Sequence, residues 1–481
     1  MMINVYTNRE NYQYDLHALL KSFYPEHDVR VYAETQQDGH QDNDSRVTVH
    51  LSDDSMQVVL DIDGRKEYMH TYQNDTDVTK KACKLSIYYD LCDYTGKTLP
   101  WGNLTGIRPT KLAMGMLTEG KEDQEIVSWL KAAHAVSEEK AQLSLDIAKR
   151  EKAILDRIHY EDGYSIYIGI PFCPTTCLYC SFTSYPIAVW RKRVEDYLQA
   201  LFQEIDFVAK AYQHKILDTV YIGGGTPTTL EAEELDKLLG YVRDRFDFRQ
   251  VTEFTVEAGR ADSITREKLD VLKKHGVTRI SVNPQTMKDE TLKYIGRQHT
   301  VAQVRDAFWL AREAGFDNIN MDIILGLPGE LEADVQNTIH EISKLNPDSL
   351  TVHSLAVKRA SKLSQWIEEN GIATLRNTDS TMEIAQNGAY ALSMKPYYLY
   401  RQKNMSGNFE NVGYAREGKY GIYNILIMEE VQTIVALGAG SISKRVYPDG
   451  RIERCENVKD VAQYIERIEE MIERKRVLLE D

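Results

Sequence analysis

Apolar and polar positions change their period twice along the chain. In residues 1–75, short alternating runs at Val29–Tyr32, Arg46–Leu51, Met56–Ile62 and Lys66–Tyr72 are separated by Asp-Gly, Asp-Asp and glycine signals. They predict a small antiparallel sheet with one wet face, with His40–Ser45 as a polar loop. Residues 76–160 turn helical: Val78–Leu91, Glu122–Ala133 and Ser137–Ile158, the last with Leu143, Ile147, Ile154 and Ile158 on one face. Ser137 stands where a cap belongs, and Glu138 and Glu139 complement the helix dipole. Pro100–Lys111 between them is rich in turn residues.

From Tyr164 the pattern becomes strand, turn, helix, repeated. Candidate strands are Ser165–Ile170, Asp218–Ile222, Glu253–Glu257, Arg279–Asn283, Ile319–Leu325 and Ser349–His353. Helical patterns follow near Trp190–Tyr212, Ala232–Arg245, Thr265–His275, Asp289–Ile295, Val301–Ala314 and Leu331–Leu345. Short apolar strands alternating with helices imply an α/β fold with a parallel sheet covered by helices. The spacing fits an open partial (β/α)6 barrel, with a doubly wound sheet as the alternative; in barrels the chemistry gathers at the C-terminal strand ends. After His353 the rhythm breaks. Ile422–Ser443 is apolar with small residues, and Val458–Leu479 reads as a terminal amphipathic helix. The expected division is an N-terminal α+β domain (1–160), a barrel (161–356) and a C-terminal α/β extension covering the substrate (357–481).

Composition narrows the function. A net charge of −15 over 481 residues argues against binding nucleic acid through its phosphates. No run of 18 apolar residues is present, so no integral membrane segment is expected. The start, MMINVYTNRENYQYD, has no basic and apolar leader pattern, and a cytoplasmic, reducing location is expected. Cys83, Cys92 and Cys455 stand apart and read as small buried hydrophobes.

The other three cysteines sit together. Ser165–Phe182 reads SIYIGIPFCPTTCLYCSF, and Cys173, Cys177 and Cys180 form C-x3-C-x2-C just beyond the first barrel strand. Pro171 and Pro174 stop the strand and place the thiols on a loop. Zinc sites pair four ligands, and no second pair lies nearby; a disulfide would leave one thiol over. Three thiolates on one loop suit an iron–sulfur cluster with one iron left open. Gly223, Gly224, Gly225, Thr226 and Pro227 follow the second strand, where glycines permit close backbone approach. No Gly-Lys-Ser/Thr follows, so this is not a P-loop. Glu257 ends the third strand, Gln285 follows the fourth and Asp322 lies in the fifth, so one pocket is expected to collect them. Basic residues Lys358, Arg359 and Lys362, and later Arg401 and Lys403, point in an acidic chain to a carboxylate-bearing ligand.

These motifs resemble the radical S-adenosylmethionine (SAM) superfamily. YIGIPFCPTTCLYCSF, GGGTPTTL, TVEAGR, ISVNPQTM, IGRQHT and MDIILGLPGE follow the order seen in oxygen-independent coproporphyrinogen III oxidases, and LTGIRPTK, PYYLYRQKNMSGNFENVGYA and LGAGSIS extend the likeness to the HemZ-type branch. The resemblance implies a [4Fe–4S] cluster on Cys173, Cys177 and Cys180, and one or two SAM molecules. It implies that Tyr167 lies beside SAM, that Gly224 and Gly225, with Thr226, meet its methionyl amino group, and that Glu257, Gln285, Arg297 and Asp322 make polar contacts to it. By the same resemblance Tyr167 and Glu257 are the catalytic candidates. The implied chemistry is reductive cleavage of SAM and hydrogen abstraction from a propionate β-carbon, twice, turning coproporphyrinogen III into protoporphyrinogen IX. A low-potential donor such as flavodoxin or ferredoxin is the implied partner. The sequence departs at two places: Phe182 replaces a fourth Cys, and Gly169 replaces a His. A haem-transfer chaperone and a haem-modifying enzyme are therefore carried as rival expectations.

Overall fold

A computed structural model describes residues 2–25, 27–33, 45–53, 55–65, 67–73, 80–106, 108–180, 184–356, 361–370, 375–401 and 409–480. The chain divides into two compact units, residues 1–149 with 400–409, and residues 150–399 with 410–481.

The first unit is built on a five-stranded sheet in the order Asp28–Ala33, Met2–Thr7, Ser45–Leu51, Ser55–Asp61, Tyr68–Gln73. Met2–Thr7 runs parallel to both neighbours, and only the other pairings are antiparallel. This corrects the all-antiparallel expectation. The cause is the helix Gln13–Phe23, which carries the chain back so that the second strand starts at the same end as the first. Leu16, Leu19, Leu20 and Phe23 of that helix bury against Ile3, Val5, Val47 and Val58, with Ile87 and Leu91 of the helix Lys80–Thr95 in the same core. The predicted alternation holds on Ser55–Asp61, where Met56, Val58 and Leu60 point inward. Ser137 Oγ accepts from the Lys140 N–H (3.3 Å) at the start of helix Glu138–Leu155, as its position predicts.

In the second unit the strands Gly163–Ile170, Ile216–Gly224, Glu253–Glu257, Arg279–Ser281, Ile319–Leu325 and Ser349–Ser354 lie side by side in chain order, all parallel. A doubly wound sheet would reverse its order at a switch point; this order runs one way, as in a barrel. The sheet does not stop there. Thr433–Leu437 pairs parallel with the first barrel strand, followed by antiparallel Ile442–Val446 and Ile452–Glu456. At the other edge Asn411–Ala415 is antiparallel to the sixth strand, with Lys395–Tyr400 outside it. Among the described residues the sheet has eleven strands. The apolar segment Ile422–Ser443 thus holds a helix (Ile422–Glu429) and a buried strand. The expected terminal helix is two, Val461–Glu466 and Ile468–Glu480, because Arg467 between them leaves helical geometry. No helix among the described residues is long and apolar enough to cross a membrane.

Candidate active site

Parallel pairing brings the C-terminal ends of the strands to one rim. Ile170 pairs with Gly224 and Glu257 with Ser281; Asp322 pairs with Thr351 further in, and Leu437 stands beside Ile168. The cysteine loop leaves this rim after Ile170. Its Phe172–Cys173 pairs with Tyr185–Pro186. The glycine turn is locked beneath it: Gly225 donates to the Ile170 carbonyl (2.8 Å) and Thr226 to that of Phe172 (2.7 Å). A Cβ on Gly225 would sit 2.5 Å from the Phe172 oxygen, and Gly224 has φ +106°, so both positions need glycine.

Cys177 is buried, and Cys173 and Cys180 are half-buried. Burial pushes the Cys173 thiol up to about 11, against a hydrogen bond with Thr226 (Sγ to Oγ1 3.5 Å). Cys173 lies within electrostatic reach of both Cys177 and Cys180. Among the described residues no three His, Cys, Asp or Glu side chains converge on a single ion. A cluster asks for something else, since each thiolate takes its own iron. Two buried guanidinium groups flank the loop. Arg260 donates to Cys177 Sγ (3.8 Å) and Thr175 Oγ1 (2.9 Å). Arg297 donates to the carbonyls of Asn283 (2.6 Å) and Gly259 (3.2 Å) and to Tyr179 Oη (3.3 Å).

Beside the loop three tyrosine rings stack. Tyr221 and Tyr423 are 4.5 Å apart, and Tyr167 is 6.2 and 6.1 Å from each. Tyr221 Oη donates to Glu257 Oε1 at 2.5 Å. Burial raises the Glu257 carboxyl to about 7, although the Tyr221 hydrogen bond pulls it down; the charge of Asp322 adds to the rise. Asp322 ends below its ordinary value. Burial pushes it up, but His353 (3.8 Å) and Asn320 (2.6 Å) outweigh that. Two neighbouring carboxyls are thus pushed apart, one ionised and one near neutrality. Gln285 is pinned by its backbone, donating to Asp322 O and accepting from Ile324 N (both 2.9 Å), with φ +66°. A left-handed glutamine stores strain.

Contacts therefore tie all of Tyr167, Cys173, Cys177, Cys180, Gly224, Gly225, Thr226, Glu257, Gln285, Arg297 and Asp322 into one patch of the rim. Several of its polar atoms are buried without partners: Gln285 Oε1, Arg297 Nε and Asn283 Oδ1. Unpaired buried polar atoms are costly, and these three, gathered beside the cysteine loop, leave hydrogen-bonding capacity for a polar ligand. The donor set, the glycine cradle and these atoms fit a cluster beside a zwitterionic, cationic cofactor.

Other expectations fare differently. Lys358, Arg359, Lys403 and Phe182 lie outside the described residues. Lys362 opens the helix Lys362–Asn370 and is exposed. Arg401 belongs to the first unit; it is buried, donates to the Leu104 carbonyl (2.5 Å) and lies over the Trp101 ring. There the protein's own backbone and ring engage its guanidinium. Gly169, where the resemblance expects His, packs against the added strand: a Cβ would come 3.3 Å from the Leu437 oxygen. Cys83 and Cys455 are buried as expected, while Cys92 is half-buried. Sequence reasoning missed Tyr221, Tyr423 and Arg260. Two tyrosines on apolar segments read as core; a lone Arg just past a strand end was the one signal available.

Comparison with known proteins places residues 167–342 in the radical SAM superfamily model. The chain is 43% identical over 430 residues to the oxygen-independent coproporphyrinogen-III oxidase-like protein HemZ of Bacillus subtilis, covering 87% of this chain and 86% of that one. It is 42% identical over 196 residues to the heme chaperone HemW of Bacillus subtilis, covering 40% and 51%. The solved structure of coproporphyrinogen III oxidase (HemN) from Escherichia coli, a radical SAM enzyme, matches with TM-score 0.52 and 23% identity over 67% of this chain and 73% of that one, a likeness of fold.

Proposed function

We propose that this chain, which belongs to the HemN/HemZ-type family of radical SAM proteins, oxidatively decarboxylates two propionate side chains of coproporphyrinogen III. The family's cofactors are a [4Fe–4S] cluster and SAM. Here Cys173, Cys177 and Cys180 would hold the cluster. Gly224, Gly225, Thr226, Gln285, Arg297 and Asp322, with Tyr167 and Glu257, would hold SAM. When bound, the two supply one-electron reduction and a carbon radical that removes hydrogen from an unactivated carbon.

The chain's own residues prepare that chemistry. The observation that carries the reading is the set of orphaned polar atoms at Gln285, Arg297 and Asn283. They offer an acceptor, a cationic donor and a second acceptor to a ligand bearing ammonium and carboxylate groups. Glu257, with a midpoint near 7, takes or releases a proton at its carboxylate under neutral conditions. Tyr221 keeps that carboxylate in one rotamer. The tyrosine stack, with Tyr423 buried and Tyr167 and Tyr221 half-buried, presents flat apolar faces to an aromatic ligand.

The test uses the anaerobically reconstituted full chain with SAM, a low-potential reductant and coproporphyrinogen III. Mass spectrometry follows 5′-deoxyadenosine and the tetrapyrrole together. Deoxyadenosine with loss of two carbon dioxide units supports the decarboxylase; deoxyadenosine over an unchanged tetrapyrrole sinks it. The 42% identity to a haem chaperone favours haem handling as the second reading. A saturable Soret shift on haem titration, with no tetrapyrrole chemistry, is its signature.

A further inference from the structure

Arg260 occupies an unusual position: a buried guanidinium aimed at a cysteine sulfur from a strand other than the one that carries the cysteine loop. It sits just past the third barrel strand and is 3% exposed. Every part of its fork is engaged. Nε and Nη2 form a two-point pair with Asp262 (3.0 and 2.7 Å). Nη1 spans Thr175 Oγ1 (2.9 Å), the Thr175 carbonyl (3.3 Å) and Cys177 Sγ (3.8 Å). Asp262 is itself shared, since His299 Nδ1 lies 3.5 Å from it. Lysine offers no planar fork, so it would not hold this geometry.

We propose that Arg260 sets the reduction potential of the cluster carried by the cysteine loop, through its charge and its N–H to Cys177 Sγ, with Asp262 setting how much of that charge the loop feels. This rests on the reading that Cys173, Cys177 and Cys180 hold a [4Fe–4S] cluster. Three thiolates and an oxidised cluster core carry a net negative charge, and one added electron makes it more negative. A cation and a sulfur hydrogen bond stabilise the reduced form more than the oxidised form, and so raise the potential. A carboxylate paired to that cation lowers it again. The two residues therefore act with opposite signs on one quantity, a relation that mere support of the loop does not produce.

The test is a redox titration of the reconstituted full chain, followed by the electron paramagnetic resonance of the reduced cluster, with iron counted per chain. At the wild-type midpoint the reduced-to-oxidised ratio is one. In Arg260→Gln it is expected to fall about tenfold, a midpoint about 59 mV lower for one electron. In Asp262→Asn the ratio is expected to rise above one. Equal midpoints in all three chains, or both variants moving the same way, overturn the inference. If Arg260→Gln does not retain iron, Arg260→Lys and Asp262→Asn decide the matter by the same titration: an unmoved midpoint in both overturns it. A wild-type chain that takes up no iron overturns the cluster reading itself. Full iron with unmoved midpoints overturns only the role of Arg260.

Discussion

Among the described residues of the second unit, the Glu204–Lys475 pair and the strand-end rim both bury charge, and they differ in one respect. Glu204 and Lys475 are both fully buried and pair at 2.6 Å. Glu204 also accepts from Gly438 N (2.8 Å), Tyr464 Oη (2.6 Å) and Asn457 Nδ2 (2.7 Å), and Lys475 Nζ also donates to Asn457 Oδ1 (2.8 Å). That network is closed on itself. At the strand-end rim, by contrast, Gln285, Arg297 and Asn283 keep polar atoms with no partner. Burial of charge is common to both, and unpartnered buried oxygens occur elsewhere too, as on Glu151; what distinguishes the rim is unspent hydrogen-bonding capacity gathered beside the cysteine loop. The closed network still serves the open one. It fixes the Gly438 turn, where Ala439 N donates to Tyr197 Oη (3.1 Å), and Tyr197 Oη in turn donates to the Gly169 carbonyl (2.6 Å), four residues before Cys173.

The sharpest way to separate the two clusters is to remove one member of each. Cys177→Ala removes a cluster ligand from the open side. The chain is expected to fold, lose its iron and brown colour, and form no detectable deoxyadenosine. A full complement of iron would remove Cys177 from the ligand set. Lys475→Ala acts on the closed side, leaving Glu204 buried with an uncompensated charge. It is expected to cost about 3–5 kcal/mol in denaturant unfolding. Adding Glu204→Gln should return much of that loss, because Gln keeps an acceptor without the charge. A single variant that unfolds like wild type would show that this pair fixes nothing.

The open side of this contrast is largely legible in the sequence. The six barrel strands were, because short apolar runs ended by Gly and Pro alternate with helical periods. The cysteine loop was, because its spacing is local. Polar residues at strand ends were, since the parallel sheet delivers them to one rim. Met2–Thr7 was not, because its strand order depends on a helix crossover that alternation does not reveal. Thr433–Leu437 was not, because a strand buried on both faces carries no alternation. The Glu204–Lys475 pair joins two distant parts of the chain, and a Lys on a terminal amphipathic helix reads as solvated. Tyr221 and Tyr423 read as core because an aromatic ring on a strand or helix nearly always is. What sequence hid were pairings across long separations; what it showed were local spacings.

Glu257 tests whether the open side is tuned by proton binding. Its carboxyl titrates near 7 when folded, above its ordinary 4.5, chiefly because burial disfavours the charged form. The folded state therefore holds a proton that the unfolded chain has already released between about 4.5 and 7. Stability of the cofactor-free chain is expected to fall as pH rises through that window, and Glu257→Gln should flatten the fall. SAM, being cationic, should bind more tightly as Glu257 ionises, by up to about tenfold from pH 6 to 8. Equilibrium dialysis on both chains checks this. A wild-type affinity independent of pH would take Glu257 out of contact with the cation.

The smallest effect probes the strain that the closed network lacks. Gln285 holds φ +66°, which costs a side-chain-bearing residue about 1 kcal/mol relative to glycine. Its two backbone hydrogen bonds, to Asp322 and Ile324, do not involve the side chain and survive substitution. Gln285→Gly should therefore raise the stability of the cofactor-free chain by about 1 kcal/mol. The same change deletes the orphaned Oε1, so SAM should bind about tenfold more weakly, the worth of one good hydrogen bond. Stability and affinity moving in opposite directions is the signature of a residue kept for its ligand. If affinity stays level while stability rises, Gln285 is a strained turn and the polar pocket ends at Arg297 and Asn283.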